Sequence, residues 1–328
     1  MIISRTPFRI SLAGGGSDFG EYYRVTAGAV LTLAIDRYMY VTINKRFDRA
    51  IRVSYTQTEI VSKLNDLHHE IIREAMRATG VTEGVEITTI ADLPAGIGLG
   101  SSSTLTVGVL NALYAYRGKH VSHADLADEA CRIEIEVLGK PIGKQDQYIA
   151  AHGGFQFVSF HPDERVTVTP MSCLPATTTG LVKRLLLFYT GVQRASASVL
   201  EEAKERIAGR PATRDALDAM VGLANDMRAS VADNRIRDVG SNLHRGWMLK
   251  KEMASNVSNP TIDALYAAAQ RAGAVGGKIA GAGGGGCLLL YAPLNAHPAV
   301  RRAMLRRGLV EIPFSLEPSG TRIIFAGT

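Results

Sequence analysis

Apolar and polar residues alternate over the first fifty positions in the manner of half-buried β-strands. Residues 38–44 place aliphatic side chains at every second position, and residues 9–12 form a shorter segment ahead of three glycines. Residues 66–79 instead repeat their apolar positions near a 3.6-residue period, and Gly80 follows as a typical helix C-cap. We therefore predict a β-rich N-terminal region that leads into an amphipathic helix.

The same two spacings predict a mixture of helices and strands over the rest of the chain. The predicted strands are residues 85–89, 154–160, 185–189, 287–292, 309–316 and 321–325. The predicted helices are residues 103–117, 124–138, 145–151, 196–208, 212–231, 235–254 and 261–272, and one that starts at Pro298.

A segment rich in proline and threonine, residues 170–180, interrupts these patterns near the middle of the chain. Such composition is typical of a connection between domains. The 328 residues, 46% of them apolar and 21% charged, suit one large or two ordinary globular domains. We therefore predict an N-terminal domain over residues 1–175 and a C-terminal domain over residues 176–328.

The net charge of the chain limits the kinds of ligand and partner that we expect it to bind. The chain has 37 Lys and Arg against 31 Asp and Glu, a net charge of +6 that would attract phosphorylated or acidic ligands. Basic and aromatic residues are not interleaved in the manner of a nucleic-acid surface, so no nucleic acid is expected.

The cellular location is predicted from three further features. No apolar run approaches the roughly 18 residues of a membrane helix, and no secretory signal is visible at the N-terminus. The three cysteines are scattered, which indicates neither a disulfide framework nor a structural zinc site. We expect a cytoplasmic protein with no membrane partner.

Glycine is the main chemical signal. Of 33 glycines, 13 fall in three tracts at residues 14–16, 96–100 and 276–286. Glycines packed between apolar segments indicate backbone that approaches a ligand or another loop closely. Three such tracts suggest that distant segments meet at one site.

The central tract leads directly into a predicted helix, which makes it a candidate anion site. Glycine lets backbone N–H groups converge, the helix N-terminus favours negative charge, and the first-turn hydroxyls can donate to phosphate or bind Mg²⁺. No Gly-Lys-Ser/Thr triplet follows, so the tract is not a Walker A motif. A flexible turn capped by serines is the alternative. The candidate residues are Pro94, Gly96, Gly98, Gly100, Ser101, Ser102 and Ser103.

The other two tracts are less specific taken alone. Gly281, Gly283 and Gly286 match G-x-G-x-x-G, but a strand follows them where a dinucleotide fold requires a helix. Close approach to a phosphate or a hinge at a sheet corner both remain open. Asp18 follows the first tract and could accept hydrogen bonds from sugar hydroxyls or cap its own turn.

A fourth segment carries carboxylates suited to phosphoryl transfer. Glu134 and Glu136 lie on a predicted helix, and Asp146 follows a Gly-Lys-Gln sequence. Transfer to an alcohol needs one carboxylate that can bind Mg²⁺ and another that can accept the hydroxyl proton. Ordinary solvated charges on a helix face are the alternative.

Taken together, the four segments resemble the GHMP kinase superfamily, over essentially the whole chain. Residues 13–18, 143–148 and 281–286 most resemble the sugar-1-kinases that act on D-glycero-D-manno-heptose 7-phosphate, with fucokinase domains close behind. The resemblance implies a two-domain α+β fold, with an N-terminal domain like ribosomal protein S5 domain 2 and a ferredoxin-like C-terminal domain. It also implies ATP and Mg²⁺ as cofactors.

The resemblance also implies a role for each matching residue. The central tract would wrap the ATP phosphates, Ser101 and Glu134 would hold Mg²⁺, and Asp146 would be the catalytic base. Arg9 would pair with that base and assist it. The residues expected to bind the acceptor are Gly15, Gly16, Ser17, Asp18, Lys144, Gln145, Gly283 and Gly284.

One departure from galactokinases favours the heptose acceptor: Gly15 and Gly16 replace a Glu-His pair and leave room for a larger sugar. Lys140, Lys144 and Arg194 are candidates for binding its 7-phosphate. The expected reaction is phosphorylation of the anomeric hydroxyl for nucleotide-activated heptose and surface polysaccharide. The expected partner is a small sugar phosphate, and a homo-oligomer is compatible with the sequence. Fucose or another sugar as acceptor, a non-catalytic sugar sensor, and a nucleic-acid-binding protein are the alternatives.

Overall fold

A computed structural model describes residues 1–192 and 196–327, and in them the chain forms two β-sheets with helices packed on both. The strands are β1 (Ile2–Ala13), β2 (Gly28–Lys45), β3 (Ile51–Ser54), β4 (Thr58–Val61), β5 (Val85–Ala91), β6 (Phe155–Phe160), β7 (Val166–Pro170), β8 (Leu185–Tyr189), β9 (Gly276–Ile279), β10 (Cys287–Tyr291), β11 (Val310–Glu311) and β12 (Arg322–Ala326). The helices are α1 (Gly20–Tyr23), α2 (Glu70–Thr79), α3 (Ser101–Tyr116), α4 (His123–Cys131), α5 (Gln145–His152), α6 (Pro175–Val182), α7 (Ser196–Gly209), α8 (Pro211–Ala232), α9 (Asp238–Lys250), α10 (Pro260–Arg271) and α11 (His297–Leu305).

Two long antiparallel strands, β1 and β2, form the centre of the first sheet. Its order is β12-β1-β2-β5-β3-β4, while β6 pairs with the first part of β2 and β7 pairs with β6. Helices α3 and α5 pack on β1 and β2 and bury an aliphatic core. Burial of that apolar surface stabilises the layer that carries the central glycine tract.

The second sheet is smaller, with the order β11-β8-β10-β9 and antiparallel pairing throughout. Its core contains Trp247 and Phe188, both fully buried. Helix α9 packs on β9, and α8 packs on β1 and β2. Helix α8 therefore joins the second half of the chain to the first sheet.

The predicted elements agree well with the structure, with four instructive differences. The segment at 170–180 contains helix α6, whose Leu181 is fully buried in the main core. The helix predicted over 124–138 changes after Cys131 into a π-helical turn over Arg132–Val137. The strands β3, β4, β7 and β9 were not predicted, because they are short or, for β9, rich in glycine. The strand predicted over 309–316 contracts to two residues.

The last strand lies in the first sheet, although residues 176–328 were expected to form a separate domain. Strand β12 pairs with β1, with Ile2 opposite Ala326. The chain thus returns to its starting layer after building the second sheet. Every helix in the described ranges is too short or too polar to cross a lipid bilayer.

Candidate active site

The central glycine tract forms a tight loop at the start of helix α3. Gly96, Gly98 and Gly100 all have left-handed φ angles, of 79°, 85° and 85°. A Cβ atom on Gly98 would lie 2.4 Å from the carbonyl oxygen of Ala280, so this position accepts only glycine without displacement of the backbone. The central and third tracts are therefore in direct contact, as expected from their composition.

A cavity opens above this loop and the N-terminus of α3. Backbone N–H groups at a helix start favour anions, so the cavity suits a phosphate chain. Its wall combines the central tract, the first turn of α3 and the third tract. The lining includes Gly96, Gly98, Gly100, Ser101, Ser102, Ser103, Gly281, Gly283 and Gly285. We call it the phosphate cavity.

Asp146 and Arg9 form a bidentate pair beside the loop. Arg9 donates from Nε and Nη2 to the two carboxylate oxygens of Asp146, at 2.6 and 2.7 Å. The remaining Nη1 of Arg9 donates to the carbonyl oxygen of Gly98 at 2.6 Å. The guanidinium is nearly buried, at 4% exposure, whereas Asp146 is 22% exposed. Arg9 thus fixes both the carboxylate and the loop, and Asp146 keeps access to the cavity.

The second carboxylate of the site, Asp18, is held by the first glycine tract. Its oxygens accept from the backbone N–H groups of Gly16 (2.9 Å) and Gln145 (3.2 Å). Burial raises the pKa of Asp18, and the charge of Asp146 adds to this rise, while the Gly16 N–H opposes it. Gly143 packs directly on the carboxylate, since a Cβ there would lie 2.0 Å from Oδ2.

Asp18 lines a second cavity, which we call the acceptor cavity. The first glycine tract, the Gly143–Asp146 turn and helix α9 form its wall. Arg9, Asp146 and Gly281 line both cavities. The acidic pair Asp146 and Asp18 therefore spans the junction from the phosphate cavity to the acceptor cavity. The lining includes Ser11, Gly15, Gly16, Gly143, Gln145, Lys250, Met253 and Lys278.

Glu134 is buried at the edge of the phosphate cavity. Its Oε1 accepts from the Ser102 hydroxyl at 2.5 Å and its Oε2 from Gln147 Nε2 at 2.8 Å. Burial raises the pKa of Glu134, and the Ser102 hydroxyl counteracts it. Lys140 Nζ lies 3.3 Å from the same hydroxyl. Ser101 was expected beside Glu134, but successive helix residues point about 100° apart and Ser102 is the one that faces it.

A magnesium ion fits this donor set. Mg²⁺ is usually bound by one or two protein oxygens together with substrate phosphates and water. Glu134 and Ser102 supply such oxygens next to the phosphate cavity, and the Ser101 hydroxyl is buried there without a hydrogen-bond partner. The described residues contain no cluster of three or more His, Cys, Asp or Glu that could hold a metal alone.

The lysines expected at the distal phosphate lie elsewhere. Lys144 Nζ pairs with Glu164 at 2.6 Å and faces the ring of Tyr23, outside the lining of the acceptor cavity. Lys140 is on the phosphate side, where it also pairs with Glu70 at 3.2 Å. Neither Lys140 nor Lys144 therefore lies where it was expected, at the distal phosphate of the acceptor. Arg194 lies outside the described residues.

The other predicted acceptor residues divide between the two cavities and the supporting loops. Gln145 lines the acceptor cavity, but Gly283 lines the phosphate cavity. Ser17 is buried within the first tract, where its hydroxyl donates to the Gly14 carbonyl at 2.8 Å. Gly284 donates its N–H to Val257 and Pro94 is exposed on the loop, and neither lines a cavity.

Sequence reasoning missed several residues of the acceptor cavity, among them Lys250 and Lys278. Both are buried, at 8% and 5% exposure. Lysine is rarely buried, so a sequence pattern assigns it to the surface by default. The position of Lys278 inside the third glycine tract was the signal available.

Comparisons with known proteins show the family to which the chain belongs. The family of GHMP kinases N terminal domains matches residues 66–154, and the family of GHMP kinases C terminal domains matches residues 227–310. The D-glycero-alpha-D-manno-heptose 7-phosphate kinase of Campylobacter jejuni is 31% identical over 337 residues, covering 98% of each chain. The chain belongs to the GHMP kinase family. It is therefore a kinase, and the predicted two-domain α+β fold is confirmed.

Two further proteins are similar to this GHMP kinase. The crystal structure of a D-glycero-D-manno-heptose 1-phosphate kinase from Bacteroides thetaiotaomicron superposes with a TM-score of 0.83 at 25% identity and covers all of both chains. The bifunctional fucokinase/GDP-fucose pyrophosphorylase of Arabidopsis thaliana is 27% identical over 87% of this chain and 29% of that protein.

Proposed function

We propose that this GHMP kinase transfers the γ-phosphoryl group of ATP to the anomeric hydroxyl of D-glycero-D-manno-heptose 7-phosphate, giving the 1,7-bisphosphate. The observation that carries this is the position of Asp146, which borders both cavities and is held by Arg9. The heptose 7-phosphate kinase among its relatives supports the acceptor. The product would supply nucleotide-activated heptose for surface polysaccharide.

Asp146 would accept the proton of the attacking hydroxyl. Each of its oxygens is engaged once by Arg9 and retains lone-pair capacity for the substrate. The guanidinium would offset negative charge on the oxygen as the proton leaves. Asp18 would accept from another sugar hydroxyl and fix the ring relative to Asp146.

ATP would place its phosphates along the loop at the start of α3, where the tract's backbone N–H groups converge. Glu134 and Ser102 would hold Mg²⁺, which neutralises phosphate charge when bound. Gln147 keeps Glu134 in place by its hydrogen bond to Oε2. Arg9 connects the two halves of the site, since it also holds the Gly98 carbonyl.

A panel of acceptors tests the proposal. ADP release and ³¹P NMR of the product should show turnover of heptose 7-phosphate well above fucose, galactose and mevalonate. Asp146→Asn should lower kcat by about 10²–10⁴, the usual contribution of a general base, while ATP affinity changes less than about twofold. Asp125→Asn, in an exposed helix cap, is the matched control. Preferential turnover of fucose would instead identify a fucokinase and refute the heptose acceptor.

A further inference from the structure

The acceptor cavity contains two buried lysines, Lys250 and Lys278, that form no ion pair within the part of the chain that the structure describes. Lys250, at the end of α9, donates to the carbonyl oxygen of Gly281, and Lys278, on β9, lies 3.5 Å from the carbonyl oxygen of Leu12. Among residues 1–192 and 196–327, neither ammonium group has an Asp or Glu oxygen within 4.0 Å, the ion-pair limit. A buried charge is costly unless a counter-charge and hydrogen bonds satisfy it.

The neighbouring charges do not supply that counter-charge. The pKa of Lys250 is lowered to about 8, first by burial and then by the charge of Arg9, against weaker opposing contributions from Asp18 and Asp146. Burial also lowers the pKa of Lys278 strongly, with Lys250 as the next cause. The two lysines are thus close enough to repel each other. A dianion bound between the two ammonium groups would neutralise both charges.

Unpaired polar atoms lie in the same cavity. The Ser11 hydroxyl and Gln145 Oε1 are both buried without a hydrogen-bond partner. Gly15 leaves the space between these side chains open, since a Cβ there would lie 3.5 Å from Ser11 Oγ and 3.6 Å from Gln145 Nε2. Buried polar atoms are usually hydrogen-bonded, so these two atoms are available to a polar ligand or a water molecule in the cavity.

The position of the lysines separates this anion from the ATP phosphates. Both lysines line the acceptor cavity, and neither lines the phosphate cavity around the start of α3. The anion would therefore belong to the acceptor.

We infer that Lys250 and Lys278, with the Ser11 hydroxyl, bind the phosphate ester that the acceptor already carries and so select a phosphorylated sugar. The inference rests on the proposed function for the identity of that sugar. It assigns the distal phosphate to these lysines in place of Lys140 and Lys144. An unphosphorylated sugar would leave the two ammonium groups unneutralised and would bind less tightly.

Calorimetry on the full chain tests the assignment with two ligands, heptose 7-phosphate and the same heptose without its phosphate. Lys250→Met and Lys278→Met keep the side-chain length and remove the charge. Each should weaken binding of heptose 7-phosphate by about tenfold or more, as expected for a lost charge-assisted hydrogen bond. Binding of unphosphorylated heptose should change less than about twofold.

Lys251→Met is the matched control, because Lys251 is adjacent to Lys250 but pairs with Asp263. It should leave both affinities unchanged. ATP affinity and the thermal unfolding midpoint of each variant show that the fold is kept. An equal loss for both sugars, or equal wild-type affinity for them, would overturn the assignment.

Failure of the proposed acceptor would give a different result. If wild-type protein phosphorylates fucose and not heptose 7-phosphate, inorganic phosphate is the probe of the lysine site. If wild-type protein binds phosphate and the Lys250→Met and Lys278→Met variants do not, the lysines form an anion site even though heptose 7-phosphate is not the acceptor. Phosphate binding that is absent, or unchanged in both variants, would refute the anion site itself.

Discussion

At the residue scale, the site depends on buried charged groups that differ in how completely ion pairs and hydrogen bonds satisfy them. Asp146 is fully matched by Arg9, and Glu134 is matched by Ser102 and Gln147. Lys250 has a backbone carbonyl as its hydrogen-bond acceptor and no ion-pair partner among the described residues. Well-paired groups are fixed before substrate arrives, whereas a poorly paired group gains the most from a charged ligand.

The pKa of Lys250, lowered to about 8, predicts how acceptor binding depends on pH. Below pH 8 the ammonium form is present and attracts phosphate, and above pH 8 it is lost. Arg9, Asp18, Asp146 and Lys278 are the charged groups that act on it. Affinity for heptose 7-phosphate should fall about tenfold between pH 7 and pH 9.

Calorimetry over that pH range measures the effect, with Lys250→Met as its comparison. The variant should bind more weakly at pH 7 and show a flatter profile. A wild-type affinity that stays constant from pH 7 to pH 9 contradicts the prediction.

At the element scale, composition predicted the meeting of glycine tracts but not the details of the side chains beside them. The contact between tracts was predictable because two backbone segments that approach closely leave little room for side chains, and glycine is the residue that fits there most often. Which of Ser101 and Ser102 faces Glu134 was not predictable, because it depends on the rotation of α3 about its axis. The buried lysines were missed because their burial depends on how α9 packs against β9 and β1.

The contact between tracts predicts unequal effects of two alanine substitutions. Gly96→Ala and Gly98→Ala both place alanine at a left-handed φ, which costs about 1–2 kcal/mol. Gly98→Ala also forces Cβ against the Ala280 carbonyl, whereas Gly96 has open space around it. A further ~1–3 kcal/mol of destabilisation is expected for Gly98→Ala, with weaker ATP binding.

Denaturant unfolding of both variants gives the two free energies. Because the strain from φ is common to them, their difference isolates the packing of one tract on the other. Equal free energies of unfolding would show that the two tracts do not constrain each other.

At the scale of the whole molecule, the first sheet is completed by the end of the chain. Strand β12 covers the outer edge of β1, and the Met1 ammonium group donates to the Gly327 carbonyl at 3.1 Å. An exposed edge of a long strand is prone to pair with other chains. Arg9 of the active site lies on that same β1.

Deletion of residues 322–328 tests the contribution of this strand. We expect a lower unfolding midpoint and a concentration-dependent tendency to aggregate, because the edge of β1 is then open. Ile324→Thr is the matched control, since Ile324 is half-exposed and the substitution keeps the backbone pairing. A truncated protein that unfolds at the same midpoint and does not aggregate as its concentration rises contradicts the expectation.

The separation of β1 and β12 along the chain affects how the protein folds. Their pairing joins Ile2 to Ala326 and so closes a loop that contains all the intervening strands and helices. Closing a long loop costs conformational entropy, and contacts between residues distant in sequence slow folding. Any folding intermediate that has not yet docked β12 therefore exposes the edge of β1, the strand that carries Arg9.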